Sequence, residues 1–317
     1  MRRPAQLPPE LADGGVFGLE DARRLGLTRG RLAAGDLSTP FRGSRMVVGT
    51  DRSIRHLALA YAARMPDRQF FSHATAALLN GVPLPTAVER DPRLDVSVFE
   101  GAPRPRVRGV VGHVLEPTRT TVLAAGRLRM TDAATTWCQL GARLGVDDLV
   151  AAGDFMVTGR DPVGGRAPMV RVTDLVAAAE RHRGSSGVAR LRIALPLIRY
   201  GPLSRRETRL RLVIVRAGLP EPEINHVVRD PRLGGWEPMI DLAYPRHRVG
   251  IEYEGDHHRD PRQFRADIRR YERLQDVGWS FVRVTAADLP EQGGDGASVA
   301  LTRRIAARLE SRGWRTR

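Results

Sequence analysis

In the last third of the chain the apolar positions alternate between helical and strand spacing. Leu210, Val213, Ile214 and Ala217 recur at three- and four-residue intervals and predict a helix over 204–217. Alternation then predicts strands near 224–229, 238–244 and 248–254. Phe264, Ile268, Tyr271 and Leu274 mark an amphipathic helix from Gln263 to Val277, Trp279 to Val284 reads as a strand, and 298–311 as a last helix. The predicted order is α, β, β, β, α, β, α.

The first fifty residues carry shorter signals. Val16-Phe17 reads as a strand, Leu19 to Leu25 as a helix and Gly26 as a turn, after which Thr28 is placed to N-cap a second helix reaching about Leu37. Phe41 to Gly49 looks like a β-wing, which completes a winged-helix pattern. In such a unit the second helix enters the major groove of double-stranded DNA, with Arg29 and Arg31 near its start and Arg42 and Arg45 on the wing. The competing reading is a protein-docking module with solvated arginines.

Between these regions the pattern is that of an α/β connector: helices over 53–65 and 72–80, strands over 94–99 and 107–115, and helical stretches at 131–157, 172–183 and 188–198. Breaks rich in Pro and Gly fall at 81–85, 101–105, 161–168 and 201–202. The main boundary is placed at Tyr200-Gly201-Pro202, which divides the chain into 1–52, 53–200 and 201–317. The fold class is multidomain α/β (α+β).

A length of 317 residues is too great for one small core, and 42% hydrophobic with 27% charged residues is a globular composition. No run of about 18 apolar residues could span a bilayer, so no membrane partner is expected. The net charge of +15 points to polyanions. However, all 51 basic residues are arginine and none is lysine, which the codon bias of a GC-rich genome explains equally well. With Cys138 as the single cysteine there is no intramolecular disulfide and no Cys-based zinc cluster, and a reducing cytoplasm is the simplest compartment. The start, Met1-Arg2-Arg3-Pro4, is not followed by the apolar stretch of an export signal.

Carboxylates concentrate on two adjacent predicted strands. Asp241 closes the pair Met239-Ile240, while Glu252 and Glu254 alternate with Ile251 and Tyr253 and so share one face. Burying unpaired charge is costly, and the remedies are a divalent cation or salt bridges to the many arginines. Hard oxygen ligands suit Mg²⁺ or Mn²⁺, which hold phosphates, and phosphodiester hydrolysis is the matching reaction. Gly255 leads into the polar loop Asp256-His257-His258-Arg259-Asp260 beside them. Ser204-x-x-Glu207 is a capping-box signature, so Glu207 serves either the site or helix-end amides. Asp267 and Arg270, three apart, either pair with each other or leave Arg270 for phosphate. His56, His73, His113 and His182 have no ligand spacing and read as isolated, and Trp236, Trp279 and Trp314 read as packing residues.

The order Glu207, Asp241, Glu252, Glu254 resembles the PD-(D/E)XK nuclease superfamily. More narrowly, "IDLAYPRHRVGIEYEGDHHRDPRQFRADIRRYERLQDVGWSFVRV" is similar to very-short-patch-repair-like (Vsr-like) endonuclease domains. The likeness covers about 204–289 and rests on the string Glu252 to His258, on Asp267-Ile268-Arg269-Arg270 and on Gly278-Trp279. It implies a restriction-endonuclease-like α-β-β-β-α-β core in which Asp241 and Glu252 hold Mg²⁺ or Mn²⁺ and Glu254 or Glu207 completes the shell. His258 would act as general acid or base, and Arg259 and Arg270 would clamp phosphate. The superfamily pattern ends in a lysine, where this chain has Glu254. Either His258 takes a related role, or the domain has lost catalysis and persists as a DNA-binding scaffold.

The segment "GGVFGLEDARRLGLTRGRLAAGDL" with "FRGSRMVVG" resembles the winged helix of AbiEi-type antitoxins of type IV toxin–antitoxin systems, and "MTDAATTWCQLGARLG" resembles their central part. That likeness implies DNA binding at 14–50 and leaves a toxin partner or a homodimer open. Three functions are therefore in competition: a metal-dependent DNA endonuclease, an antitoxin-like transcriptional regulator, and an interaction module whose carboxylates pair with Arg246, Arg248 or Arg283.

Overall fold

Residues 4–12, 14–254 and 261–315 are described by a computed structural model. They fall into two units of mixed helix and strand, Met1–Ala152 with Val170–Pro196, and Gly153–Met169 with Leu197–Arg317. Residues 1–52 and most of 53–200, separated in the sequence reading, thus lie in one unit.

The first unit opens with α1 (Pro9–Ala12), β1 (Val16–Gly18), α2 (Leu19–Arg24), α3 (Arg29–Leu32), β2 (Leu37–Ser38) and β3 (Ser44–Val47). The strands pair antiparallel in the order β1-β3-β2, and Leu11, Phe17, Ala22 and Leu32 close a small core. Thr28 caps α3, its Oγ1 accepting the Arg31 amide at 3.2 Å. α3 stops after a single turn, short of the expected Leu37, because the chain there has stronger alternatives. Leu37 is drawn into β2 opposite Val47, and Asp36 holds the Arg31 guanidinium through two bonds of 2.9 and 2.8 Å.

There follow α4 (Ile54–Ala62), β4 (Phe70–Phe71), α5 (His73–Leu79), α6 (Thr86–Glu89), β5 (Leu94–Phe99), β6 (Val110–Leu115), β7 (Val122–Ala125) and β8 (Leu128–Thr131), then α7 (Ala133–Leu140), α8 (Val146–Thr158), α9 (Val172–Arg181) and α10 (Val188–Ala194). Five strands make a mixed sheet, β6-β5-β4-β8-β7, with β5 parallel to β6 and β4 parallel to β8. Phe41 and Met46 share a core with Leu57, Tyr61, Phe71, Val96 and Met130, which joins the N-terminal sheet to this one. The helical stretch expected over 131–157 is two helices. Trp137 of α7 is fully buried, its indole donating to the Leu149 carbonyl at 2.8 Å.

In the second unit α11 (Arg205–Arg216) precedes β9 (Glu223–Val227), β10 (Met239–Tyr244) and β11 (Val249–Tyr253), then α12 (Pro261–Asp276), β12 (Ser280–Val284) and α13 (Pro290–Glu310), which is interrupted at Gly294 with φ +68°. The sheet order is β12-β11-β10-β9. The first three strands are antiparallel, and β12 returns parallel to β11 after the crossover through α12. Side chains of α11 and α13 pack with Leu242, Ile251 and Val282 in one core, and Leu274 of α12 packs with Ile240, Ala243 and Trp279 in another. Ile268, expected inward by its spacing, is exposed. A buried ion pair ties Asp154 to this unit: its carboxylate accepts from Arg211 Nη2 at 3.2 Å, Thr208 Oγ1 at 2.8 Å and the Arg199 amide at 2.7 Å.

Candidate carboxylate site

β10 and β11 set Asp241 and Glu252 beside one another, one step beyond the paired Leu242 and Ile251. The Tyr253 amide donates to Asp241 Oδ2 at 3.1 Å, locking that carboxylate against β11. On the other side runs β9. Asn225, at φ +50°, lies between His226 and Ile224, which pair with Ile240 and Leu242 in one continuous register, and so stands across from Asp241.

Glu207 reaches the same place from the first turn of α11. Ser204 Oγ accepts the Glu207 amide at 3.1 Å, and the Leu203 amide donates to Glu207 Oε2 at 2.9 Å. Glu207 thus takes up an amide at the helix start, and its charge also acts on Glu252. Glu207 and Glu252 are 9% and 7% exposed, which decides their protonation. Burial, and then the charge of Asp241, push each of them up to about 7. Burial raises Asp241 as well, opposed by the Tyr253 amide and by Arg270.

Arg270 of α12 is the cation of this cluster. Its Nη2 donates to Glu252 Oε1 at 2.7 Å and to the Met239 carbonyl. It pairs neither with Asp267 nor stands free as a phosphate clamp, because the buried Glu252 has the greater need of a positive partner. Glu254 follows strand alternation toward the same helix, yet its Oε1 accepts from the Tyr271 hydroxyl at 3.0 Å and from Arg283 Nε at 2.7 Å. Of the two partners left open to it in the sequence, a cation or an arginine, the structure gives it Arg283.

Among the described residues no three His, Cys, Asp or Glu side chains are gathered tightly enough to ligate a cation. Oxygens of Glu207, Asp241 and Glu252 are turned onto Leu203, Tyr253 and Arg270, so a cation here requires Glu252 to exchange Arg270 for it. His258 and Arg259 lie outside the described residues.

The four N-terminal arginines divide. Arg29 and Arg42 are exposed. Arg31 is held by Asp36 and the Ala5 carbonyl, and Arg45 donates to the carbonyls of Leu32 at 2.8 Å and Ser44 at 2.9 Å, so these two serve the fold of 14–50 rather than stand ready for DNA. Nor are the histidines all isolated. His73 and His113 stack at 3.9 Å between ring centroids, His113 Nε2 lies 2.8 Å from Asp95 Oδ1, and His73 Nδ1 lies 2.9 Å from Ser72 Oγ. Some 40 residues separate the two rings, and the pairing of β5 with β4 on one side and β6 on the other brings them together.

No family model matches the chain, and no solved structure matches it. Two uncharacterized proteins of Mycobacterium tuberculosis, from strains H37Rv and CDC 1551, are each 30% identical to it over 139 residues, 44% of this chain and 49% of theirs. The chain spans about half the length of the curated relatives it matches. Among the described residues no helix is long and apolar enough to cross a membrane.

Proposed function

We propose that the protein is a divalent-metal-dependent DNA endonuclease whose chemistry lies at Glu207, Asp241 and Glu252. The observation that carries this reading is the clustering of three buried or half-buried carboxylates from α11, β10 and β11 that act on one another, with Arg270 as the cation beside Asp241 and Glu252. That leaves an excess of negative charge in a dry place, which an all-oxygen donor set resolves by taking Mg²⁺ or Mn²⁺. The order α-β-β-β-α-β, with β12 parallel to β11, supports a restriction-endonuclease-like core of the PD-(D/E)XK and Vsr-like kind. The strand pairing of 14–50 supports an AbiEi-like winged helix.

Asp241 and Glu252 would hold the cation, with Glu207 nearest to complete the set and Glu254 one step removed behind Arg283. When bound, the cation would supply a Lewis acid that polarises the scissile phosphodiester. Glu207, at about 7, holds or releases a proton near neutrality, the property of a general acid or base. Arg270 supplies the fixed positive charge that no lysine in this chain can.

A second reading, a DNA-binding regulator with a degenerate nuclease core, is favoured by one contact: Arg270 occupies Glu252 as a salt bridge. One experiment separates the two. Supercoiled plasmid is incubated with the protein in Mg²⁺ or Mn²⁺, against EDTA and against an Asp241→Asn/Glu252→Gln variant. Nicking lost in both controls supports the endonuclease; intact plasmid that wild type and variant retard equally supports the regulator.

A further inference from the structure

We propose that residues 103–108, Pro-Arg-Pro-Arg-Val-Arg, form a track for the phosphate backbone of duplex DNA in the first unit. Exposure alternates along the run: Arg104, Arg106 and Arg108 are exposed, Pro105 is buried and Val107 half-buried. The three arginines therefore share the exposed side of this short segment, Arg104 and Arg106 before the turn that leads into β6 and Arg108 within it.

The segment is fixed to the sheet. A Cβ at Gly112 of β6 would lie 2.2 Å from the Pro105 carbonyl oxygen, so the segment rests directly on the strand, and Arg104 Nε donates to the Gly112 carbonyl at 2.6 Å. Arg104, Arg106 and Arg108 line an open groove of about 490 Å³ whose wall is Val110, Val111 and Gly112. Beside Arg108 the Phe41 ring packs over Gly109, 3.5 Å from where its Cβ would be.

Many arginines of this unit are neutralised: Arg31 by Asp36, Arg93 by Asp91 and Arg127 by Asp21. Among the described residues Arg104, Arg106 and Arg108 have no carboxylate partner. Three like charges held together and left uncompensated favour a polyanion. An open groove lined by three arginines, rather than a closed pocket, fits one whose charge repeats, and duplex DNA carries a charge about every 1.7 Å of its axis. Guanidinium forks are well matched to phosphate oxygens. The track needs none of the carboxylates of the second unit and stands apart from the nuclease reading.

The test uses the full chain in EDTA and the anisotropy of a labelled mixed-sequence duplex, titrated at salt between roughly 50 and 200 mM. The variant Arg104→Gln/Arg106→Gln/Arg108→Gln is expected to bind at least about tenfold more weakly and to lower the slope of log affinity against log salt by roughly two to three. Asp241→Asn/Glu252→Gln is expected to keep the wild-type slope. Arg106→Glu alone, with an unchanged melting temperature, shifts affinity in the same direction and decides the matter should the triple variant not fold. A wild-type slope in folded variants, or no duplex binding by the wild type, overturns the proposal. Displacement of the duplex by poly-glutamate at equal charge overturns it in favour of an acidic protein.

Discussion

Arg270 Nη2 stands 2.7 Å from Glu252 Oε1 and is the single positive partner that the structure shows for that buried carboxylate among the described residues. Removing it leaves Glu252 beside Asp241 without that cation, Asp241 keeping the Tyr253 amide alone of its two offsets. Arg270→Ala is expected to lower the stability of the second unit by about 1–3 kcal/mol at pH 8, less than a fully buried pair because the guanidinium is partly exposed. At pH 5 Glu252 is protonated in both proteins, and the difference should shrink to that of lost hydrogen bonds. Urea unfolding at the two pH values measures it, and an equal cost at both would refute the pairing as the cause.

The carboxylates impose a pH dependence of definite sign. Glu207 and Glu252 sit at about 7 when folded, above the ordinary 4.5, so between these values the folded chain binds more protons than the unfolded one. Stability of this unit is therefore greatest near pH 4.5, declines as pH rises toward 7, and levels off above. The decline is at most about 1.4 kcal/mol per pH unit for each group. Hydrogen exchange of peptides from β10 and β11 should quicken from pH 5 to 7 after correction for intrinsic rates, and Glu252→Gln should remove part of the change.

His73 reverses the sign in the first unit. Burial, then the neighbouring His113, push it from 6.5 down to about 3, so below pH 6.5 the unfolded chain takes up a proton that the folded one refuses. Stability is full above 6.5 and is lost as pH falls toward 3. Since His73 has φ +48°, Asn is the substitution that keeps the backbone. His73→Asn is expected to flatten the acid limb, and the His73 ring resonance should not move between pH 8 and 5. A midpoint near 6.5 would sink this account.

Glu207, Asp241 and Glu252 were legible as a group because strand alternation and the α-β-β order leave few places for them to go. The pairing of Glu254 with Arg283 was legible only as one of three arginine partners, since β12 pairs with β11 after a crossover of some 25 residues, and spacing says nothing of its register. The β7–β8 hairpin had a local signal that the reading passed over: Ala125 pairs with Leu128 around Gly126, at φ +59°. β4 had almost none, being two fully buried phenylalanines with no polar position to alternate with. Arg31 and Arg45 illustrate the limit for charge. A winged-helix pattern counts arginines, while the fold decides which of them its own carbonyls and Asp36 have already taken.

The Arg211–Asp154 pair is the place where one truncation should cost most. Both side chains are 1% exposed, and Arg211 also reaches the Leu197 carbonyl at 2.7 Å and Glu221 at 2.9 Å. Burial lifts Asp154 to about 6 despite its cationic neighbour. Arg211→Ala is expected to destabilise by about 3–5 kcal/mol, whereas Arg211→Met/Asp154→Leu should recover most of the loss, because it removes both charges at once. A double variant as unstable as the single one would show that the hydrogen bonds, rather than the stranded charge, hold this region.

The missing side chain at Gly112 bears on entropy as well as on space. Pro103 and Pro105 restrict φ, and the close seat on β6 leaves the arginine-bearing segment little freedom to surrender when a ligand arrives. Ordering one residue's backbone costs roughly 1–2 kcal/mol, so a loose loop with the same three charges would spend on its own immobilisation much of what its contacts provide. Gly112→Ala should lift the segment from its seat without altering a single charge. Duplex affinity would then fall at every salt concentration while the salt slope stayed put, which separates how well the segment is held from how much charge it carries.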